Sequence, residues 1–238
     1  MGLPEELINR LAPLTLAADR LLPVPEVLAP LFPWGGIQRG WSVGVSGVGS
    51  WSLALSIWAE ALGTERWVAV VGVPDLGLAA AAELGVRLDR MVLVETPPTS
   101  QWGTVVAGLL DAFELVAIAP TGQVGARDAR RLSARARERE AVLFHLDGGR
   151  SWPTALDLTL TGRPEQVGPE QVGLGWSGLG PGHGHLQVRR LGIDATGRRI
   201  GRSHSLSVLL PDARGRLAPA PVTDEAIPTP VLSVPVLV

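Results

Sequence analysis

Three glycines, Gly44, Gly47 and Gly49, fall in the stretch "SVGVSGVGSWSLALSIWAEA" (residues 42–61), between an apolar run and a helical one. A strand, a glycine loop and a helix in that order can hold phosphate, because successive backbone N–H groups converge at the amino end of the helix. To act on a nucleoside triphosphate, such a loop also needs a lysine on the terminal phosphates and a Ser or Thr hydroxyl on magnesium. Here Ser50 stands in the lysine place and Trp51 in the hydroxyl place, and no arginine lies between Arg39 and Arg66 to supply the charge locally. Two further acids would be needed at the ends of later strands. The end of "WVAVVGV" reads Val73, Pro74, Asp75, and the end of "ELVAIAP" reads Ala119, Pro120. Three functional places therefore carry groups unable to do the chemistry, which predicts a degenerate phosphate loop, no bound cofactor and no ATP hydrolysis. Trp51 is expected to fill the vacated phosphate space.

The elements that position this loop follow from hydrophobic patterning. Residues 40–47 read as a strand and 50–62 as a helix ending near Gly63. Continuous apolar runs at 66–73, 91–96, 114–120 and 141–148 read as strands covered on both faces. Helical stretches separate them at 75–86, 100–113, with Ser100 as its cap, and 126–140, which is rich in charge. Strands alternating with helices predict an α/β fold with a mostly parallel central sheet flanked by helices. Beyond Gly148 the texture changes to an alternating strand at 155–163, a glycine-rich stretch with EQVG at 165–168 and again at 170–173, and a hairpin-like pair, so antiparallel strands are expected toward the carboxyl terminus. Residues 1–35 read as an amino-terminal helix and proline-rich lead-in, 36–216 as the core, and 217–238 as a proline-punctuated apolar tail.

Composition narrows the chemistry. All 21 basic residues are arginine, and both lysine and cysteine are absent. No lysine Schiff base, lysine base, thiolate metal site or disulfide can form. Histidines 183 and 185 stand two apart on a glycine segment without a carboxylate or thiolate nearby, which is too few ligands for a metal site. "GVSGVG" lacks the spacing of a hydrolase nucleophile elbow. No apolar run approaches the roughly 20 residues of a membrane span, and the first residues lack the layout of a secretory signal, so a cytoplasmic protein is expected. Charge is uneven: residues 1–126 hold six arginines against twelve acids, whereas residues 127–216 hold fifteen against nine. Arg127, Arg130, Arg131 and Arg150 could meet the backbone of single-stranded DNA, with Trp152 as the one stacking platform nearby. The plainer reading is a solvated helix face paired locally with Glu138 and Glu140.

The order and spacing of residues 36–160 resemble a RecA-type core. "RGWSVGVSGVGSWSLALSIWAEA" is similar to the strand, phosphate loop and helix that open it, "VAVVGVPDLGLAAAAELGVRLDRMVLVET" to its second and third strands, and "LLDAFELVAIAP" to its magnesium-binding strand. Within that superfamily the chain resembles the degenerate ImuA-prime type accessory proteins of damage-induced mutagenesis, on "LPVPEVLAPLFPWGGIQRG", "VVGVPDLGLAAAAELG" and "RRLGIDATGRRIGRSHSLSVLLPDARG". The resemblance implies a non-catalytic scaffold in error-prone translesion DNA synthesis. Its implied partners are an inactive Y-family polymerase homologue and, through it, an error-prone C-family polymerase. The tail residues Val231, Leu232, Val234, Val236 and Leu237 suit strand addition to a partner's sheet or to the chain's own. The alternatives are weak single-stranded DNA binding, nucleotide sensing through the glycines, and inhibition of cell division.

Overall fold

The computed structural model describes residues 20–120, 122–146, 152–165, 175–180 and 183–221. The expected amino-terminal helix and most of the tail fall outside these residues. The lead-in forms a two-stranded antiparallel pair, β1 (Leu21–Leu22) with β2 (Ile37–Gln38), joined through a 3-10 turn at Glu26–Leu31. Leu22, Leu28, Leu31, Phe32 and Ile37 from this segment are buried in the main core.

The central sheet follows the predicted alternation. Its parallel part comprises β3 (Ser42–Gly47), β4 (Val68–Val71), β5 (Met91–Val94), β6 (Leu115–Ile118), β7 (Val142–Leu146) and β8 (Leu158–Pro164). Between them run α1 (Ser50–Leu62), α2 (Leu78–Glu83), α3 (Thr99–Ala112) and α4 (Ala126–Glu138). The strands β9 (Trp176–Gly180), β10 (His183–Thr196), β11 (His204–Leu209) and β12 (Ala218–Pro219) are antiparallel additions. The order across the sheet is β12-β11-β10-β8-β3-β7-β6-β4-β5, with β9 paired to β10 off this path. β3 thus lies between β7 and β8, and β5 ends the sheet on one side.

Continuous apolar runs became strands because both faces of the parallel part are covered. On one face α1 buries Leu53, Ala54, Ile57, Trp58, Ala61 and Leu62 against Val43, Val45, Phe144 and Leu160. Trp58 meets Phe144 edge to face, with ring centroids 5.9 Å apart. On the other face α3 and α4 bury Val106, Leu110, Ala129, Leu132 and Ala136 against Val71, Val116, Ile118 and Leu143. The expected Ser100 cap is not used. α3 starts one residue earlier, at Thr99, because the Pro98 carbonyl accepts the N–H groups of Gln101 and Trp102 at 2.8 and 2.9 Å. Proline there presets the backbone and has no N–H to satisfy.

One polar cluster is locked into the amino edge of the sheet. Asp157, 1% exposed, accepts the Ser42 N–H at 2.9 Å through Oδ2, while Arg198 and, at 3.6 Å, Arg199 from the β10–β11 turn neutralise Oδ1. Ser42 Oγ in turn donates to Ser133 Oγ of α4 at 3.0 Å. A buried carboxylate is tolerated only when paired and hydrogen-bonded. Asp157→Ala is therefore expected to lower unfolding free energy by about 2–4 kcal/mol. Arg199→Ala, at an exposed and longer contact, should cost less than about 1 kcal/mol. Denaturant titration of the two variants measures both, and equal costs would remove Asp157 from this role.

Candidate functional site

The glycine segment lies at the carboxyl edge of the sheet, beside the start of α1, as its pattern predicts. It does not arch. Val43–Gly47 of β3 run in parallel register with Leu158–Gly162 of β8, so residues 44 to 47 are spent in the ladder. The Val48 N–H continues this contact by donating to the Gly162 carbonyl at 2.9 Å. Only Val48 and Gly49 remain as loop before α1 begins at Ser50.

Each glycine admits another part of the same chain. A Cβ on Gly44 would lie 2.6 Å from Leu156 Cδ1. One on Gly47, where φ is +77°, would collide with the Gly162 carbonyl oxygen, and one on Gly162 with the Val48 carbonyl oxygen. At Gly49, φ +72°, a Cβ would lie 2.6 Å from Arg189 Nη2 and 3.2 Å from Leu191 Cδ2. Glycine inside a strand commonly marks such a close backbone approach.

Ser50 is buried at the first position of α1. Trp51 is half-buried against the main core and, with Leu55, Val73, Asp75, Leu76 and Ala80, lines a cavity of about 380 Å3 between α1 and the β4–α2 connection. The ring thus lies on the β4 flank of the loop, and the side chains standing on Gly49 are Arg189 and Leu191. At the other strand ends the residues are as the sequence reads. Asp75 is exposed, and Ala119, whose N–H donates to the Val71 carbonyl at 3.2 Å, precedes Pro120.

Arg189 is the residue that a search of the loop's own neighbourhood misses. It reaches the loop from β10 and is only 8% exposed. Its Nε donates to the Leu210 carbonyl at 2.8 Å, and its guanidinium carbon lies 4.9 Å above the Trp176 ring. Burial pulls its pKa below the usual arginine value, and among the described residues no carboxylate pairs with it to offset that. The signal was present in the sequence: in "VRRLGI", Arg189 falls in phase with Leu191 and Ile193, a charge on the apolar face of a strand.

The arginine-rich helix divides into two parts. Toward its carboxyl end, Arg135 grips Asp111 of α3 through two bonds of 2.6 and 2.7 Å and reaches Glu138 at 3.0 Å, and Arg139 adds a 3.1 Å bond to Asp111. Local pairing with Glu138 is as expected. Glu140 makes no ion pair among the described residues, because α4 ends at Glu138 and a φ of +53° turns Glu140 off the helix face. Toward the amino end, Arg127, Arg130 and Arg131 are exposed, and Arg131 sits 3.6 Å from Asp128. Arg150 and the tail residues Val231, Leu232, Val234, Val236 and Leu237 lie outside the described residues. Trp152 offers no stacking platform: it is 9% exposed and packs on His145, with centroids 5.1 Å apart. His185 is exposed, and no cluster of three metal-ligating side chains occurs among the described residues. No helix among them is long and apolar enough to cross a membrane.

Comparison with known proteins agrees with this architecture. The family model described as the MT3502 N-terminal domain matches residues 30–154. The uncharacterized protein Rv3395c of Mycobacterium tuberculosis (strain ATCC 25618 / H37Rv) is 31% identical over 200 residues, which cover 82% of this chain and 93% of that protein. Among solved structures, the RadB recombinase superposes with a TM-score of 0.57 at 15% identity, covering 82% of this chain and 97% of that one. The fold is RecA-like.

Two consequences can be measured. If the glycines serve chain contacts, Gly162→Ala, in the strand opposite the loop, should destabilise the protein by about 1–3 kcal/mol in denaturant titration; an unaffected midpoint would contradict the close approach. The hydrogen bonds from Arg135, and then the charges of Arg135 and Arg139, hold the Asp111 carboxyl below its ordinary range. A depressed carboxylate stabilises the fold fully above the unfolded value of about 4 and loses that contribution as pH falls through the folded one. The melting-temperature gap between wild type and Asp111→Asn should thus be widest near pH 7 and close below about pH 4; a gap constant with pH would exclude the clamp.

Proposed function

This chain belongs to the family of the MT3502 N-terminal domain, and on that premise we propose that it is a non-catalytic accessory protein of error-prone translesion DNA synthesis, of the ImuA-prime type. In this reading it works in the cytoplasm as a scaffold for a catalytically inactive Y-family polymerase homologue and, through it, an error-prone C-family polymerase. The observation that carries the non-catalytic part is the occupied glycine segment: Leu156, Gly162 and Arg189 stand where a triphosphate would need open backbone. Ser50 and Trp51 in place of lysine and hydroxyl, and Ala119 at the end of β6, support the same conclusion. The partner rests on the resemblance of the lead-in, the residue 70–85 block and the residue 189–215 block.

A second reading, weak contact with single-stranded DNA, is favoured by Arg127 and Arg130, which are exposed and make no ion pair among the described residues. The absence of an exposed aromatic ring from that helix limits it to backbone contacts.

Co-purification with the inactive polymerase homologue decides between them, using the full chain and a chain ending at Pro221, which keeps β12. A stable complex supports the scaffold and is the expected result. Loss of that complex on truncation assigns the contact to the tail, and survival moves it to the core or the amino-terminal segment. No complex at micromolar concentrations overturns the scaffold and brings the DNA reading forward.

A further inference from the structure

The amino end of α1 holds an unbalanced positive charge. α1 is 13 residues long, its N-cap Gly49 supplies no side-chain hydrogen bond, and no acidic residue lies in its first turn. The N–H groups opening a helix have no intrahelical acceptor, and the helix dipole adds partial positive charge there. Here the first intrahelical bond runs from the Leu53 N–H to the Gly49 carbonyl, at 2.9 Å, which leaves the preceding amides directed at the loop. Beside them stands Arg189, 8% exposed, with Nη2 against Gly49. Of its donors, Nε is taken by the Leu210 carbonyl, and the Trp176 ring covers the guanidinium plane. Its terminal nitrogens have neither a hydrogen bond nor a carboxylate among the described residues. A buried cation at the positive end of a helix is costly in isolation, and an anion shared between the two removes the cost.

We infer that Arg189 and the first amides of α1 together bind one oxyanion, a phosphate or phosphate monoester, without magnesium. The straightened segment sets the size of the ligand. With residues 44 to 47 in the ladder to β8 and the Val48 N–H on the Gly162 carbonyl, only Gly49 and the first turn of α1 offer donors, enough for one tetrahedral anion and too few for a triphosphate. Trp51 in the hydroxyl place removes the side-chain ligand that a phosphate loop gives to magnesium. The site is separate from the polymerase partnership proposed above and stands or falls without it.

Inorganic phosphate is the probe, titrated in EDTA against chloride at matched ionic strength, with tryptophan fluorescence for affinity and thermal melting for linkage. Trp176, on the guanidinium, and Trp51, at the helix end, report locally. Wild type should respond saturably and gain roughly 5–10 °C at about a hundredfold excess over Kd. Arg189→Gln should lose more than about tenfold in affinity, and Arg189→Lys, which keeps the charge without the fork, should fall between. Ser50→Asp keeps the test decisive even if Arg189→Gln fails to fold. Its carboxylate would take the anion's place, so the variant should melt higher in chloride and no longer respond to phosphate. AMP binding more tightly than phosphate would assign a nucleoside monophosphate, and equal affinity would assign free phosphate. An equal phosphate response in wild type and Ser50→Asp, no response above chloride, or a response confined to magnesium with ATP would overturn the inference.

Discussion

The close passage of β3 along β8, made through Gly47 and Gly162, is the contact on which the carboxyl edge of this molecule is built. Neither position has room for a methyl group, because each would press into a carbonyl oxygen of the other strand's segment. With side chains excluded, the Val48 N–H reaches the Gly162 carbonyl, and the pairing runs along residues that a phosphate loop would keep free. Everything downstream inherits that geometry. α1 starts after two residues of loop, Leu156 settles on Gly44, and β10 comes near enough for Arg189 and Leu191 to stand on Gly49. The same residue type that opens a cradle for ligand in one loop here permits one strand to lie down on another.

Electrostatics divides the sheet's two edges. At the amino edge the buried charge is an anion, Asp157, which is fully answered by Arg198, Arg199 and the Ser42 amide. At the carboxyl edge the buried charge is a cation, Arg189, answered only by a carbonyl oxygen and the face of a tryptophan. Burial in a low dielectric penalises both, but only the first has its counter-charge within the described chain. The first is a structural tie joining β3, β8 and the β10–β11 turn. The second keeps an unspent charge beside a helix terminus, the arrangement expected of a group that answers to something outside the chain. The numerous surface arginines of α4 are less informative by comparison, since Asp111 and Glu138 already engage those at its carboxyl end.

How far the sequence could be read depends on the range of the interactions involved. The α/β alternation was legible because strands covered on both faces must be apolar throughout, as in "VAVV", "LVAI" and "VLFHL", and helices between them must each offer one apolar stripe. The antiparallel end was legible from the alternation in β8 and β10. The start of α3 was misplaced by one residue because a serine near a helix start draws attention, while Pro98 sets the entry angle without a side-chain bond. The loop was half legible. Its missing lysine is a local fact, but its occupants, Leu156, Gly162 and Arg189, come from strands and loops more than a hundred residues away, and no local rule brings them there. Trp152 was misread for the same reason, since only the fold sets its ring against His145.

A residue lost from a motif and a residue gained elsewhere need not be separate events in the physics of a site. Without a lysine there is no flexible cation to reach phosphates across an open arch, and an open arch of bare amides would then hold its donors unsatisfied. Straightening the segment pairs those amides with β8 and removes that cost. Once straightened, the segment leaves Gly49 bare on the side of β10, where a long side chain is needed to cover it. An arginine does so by packing its plane on Trp176 and turning Nε to the Leu210 carbonyl. The charge that the loop gave up at Ser50 is thus restored from the far side of the sheet, on a rigid strand and with a single fixed reach. Such a group can hold one small anion in place, but it cannot follow a phosphoryl group through transfer.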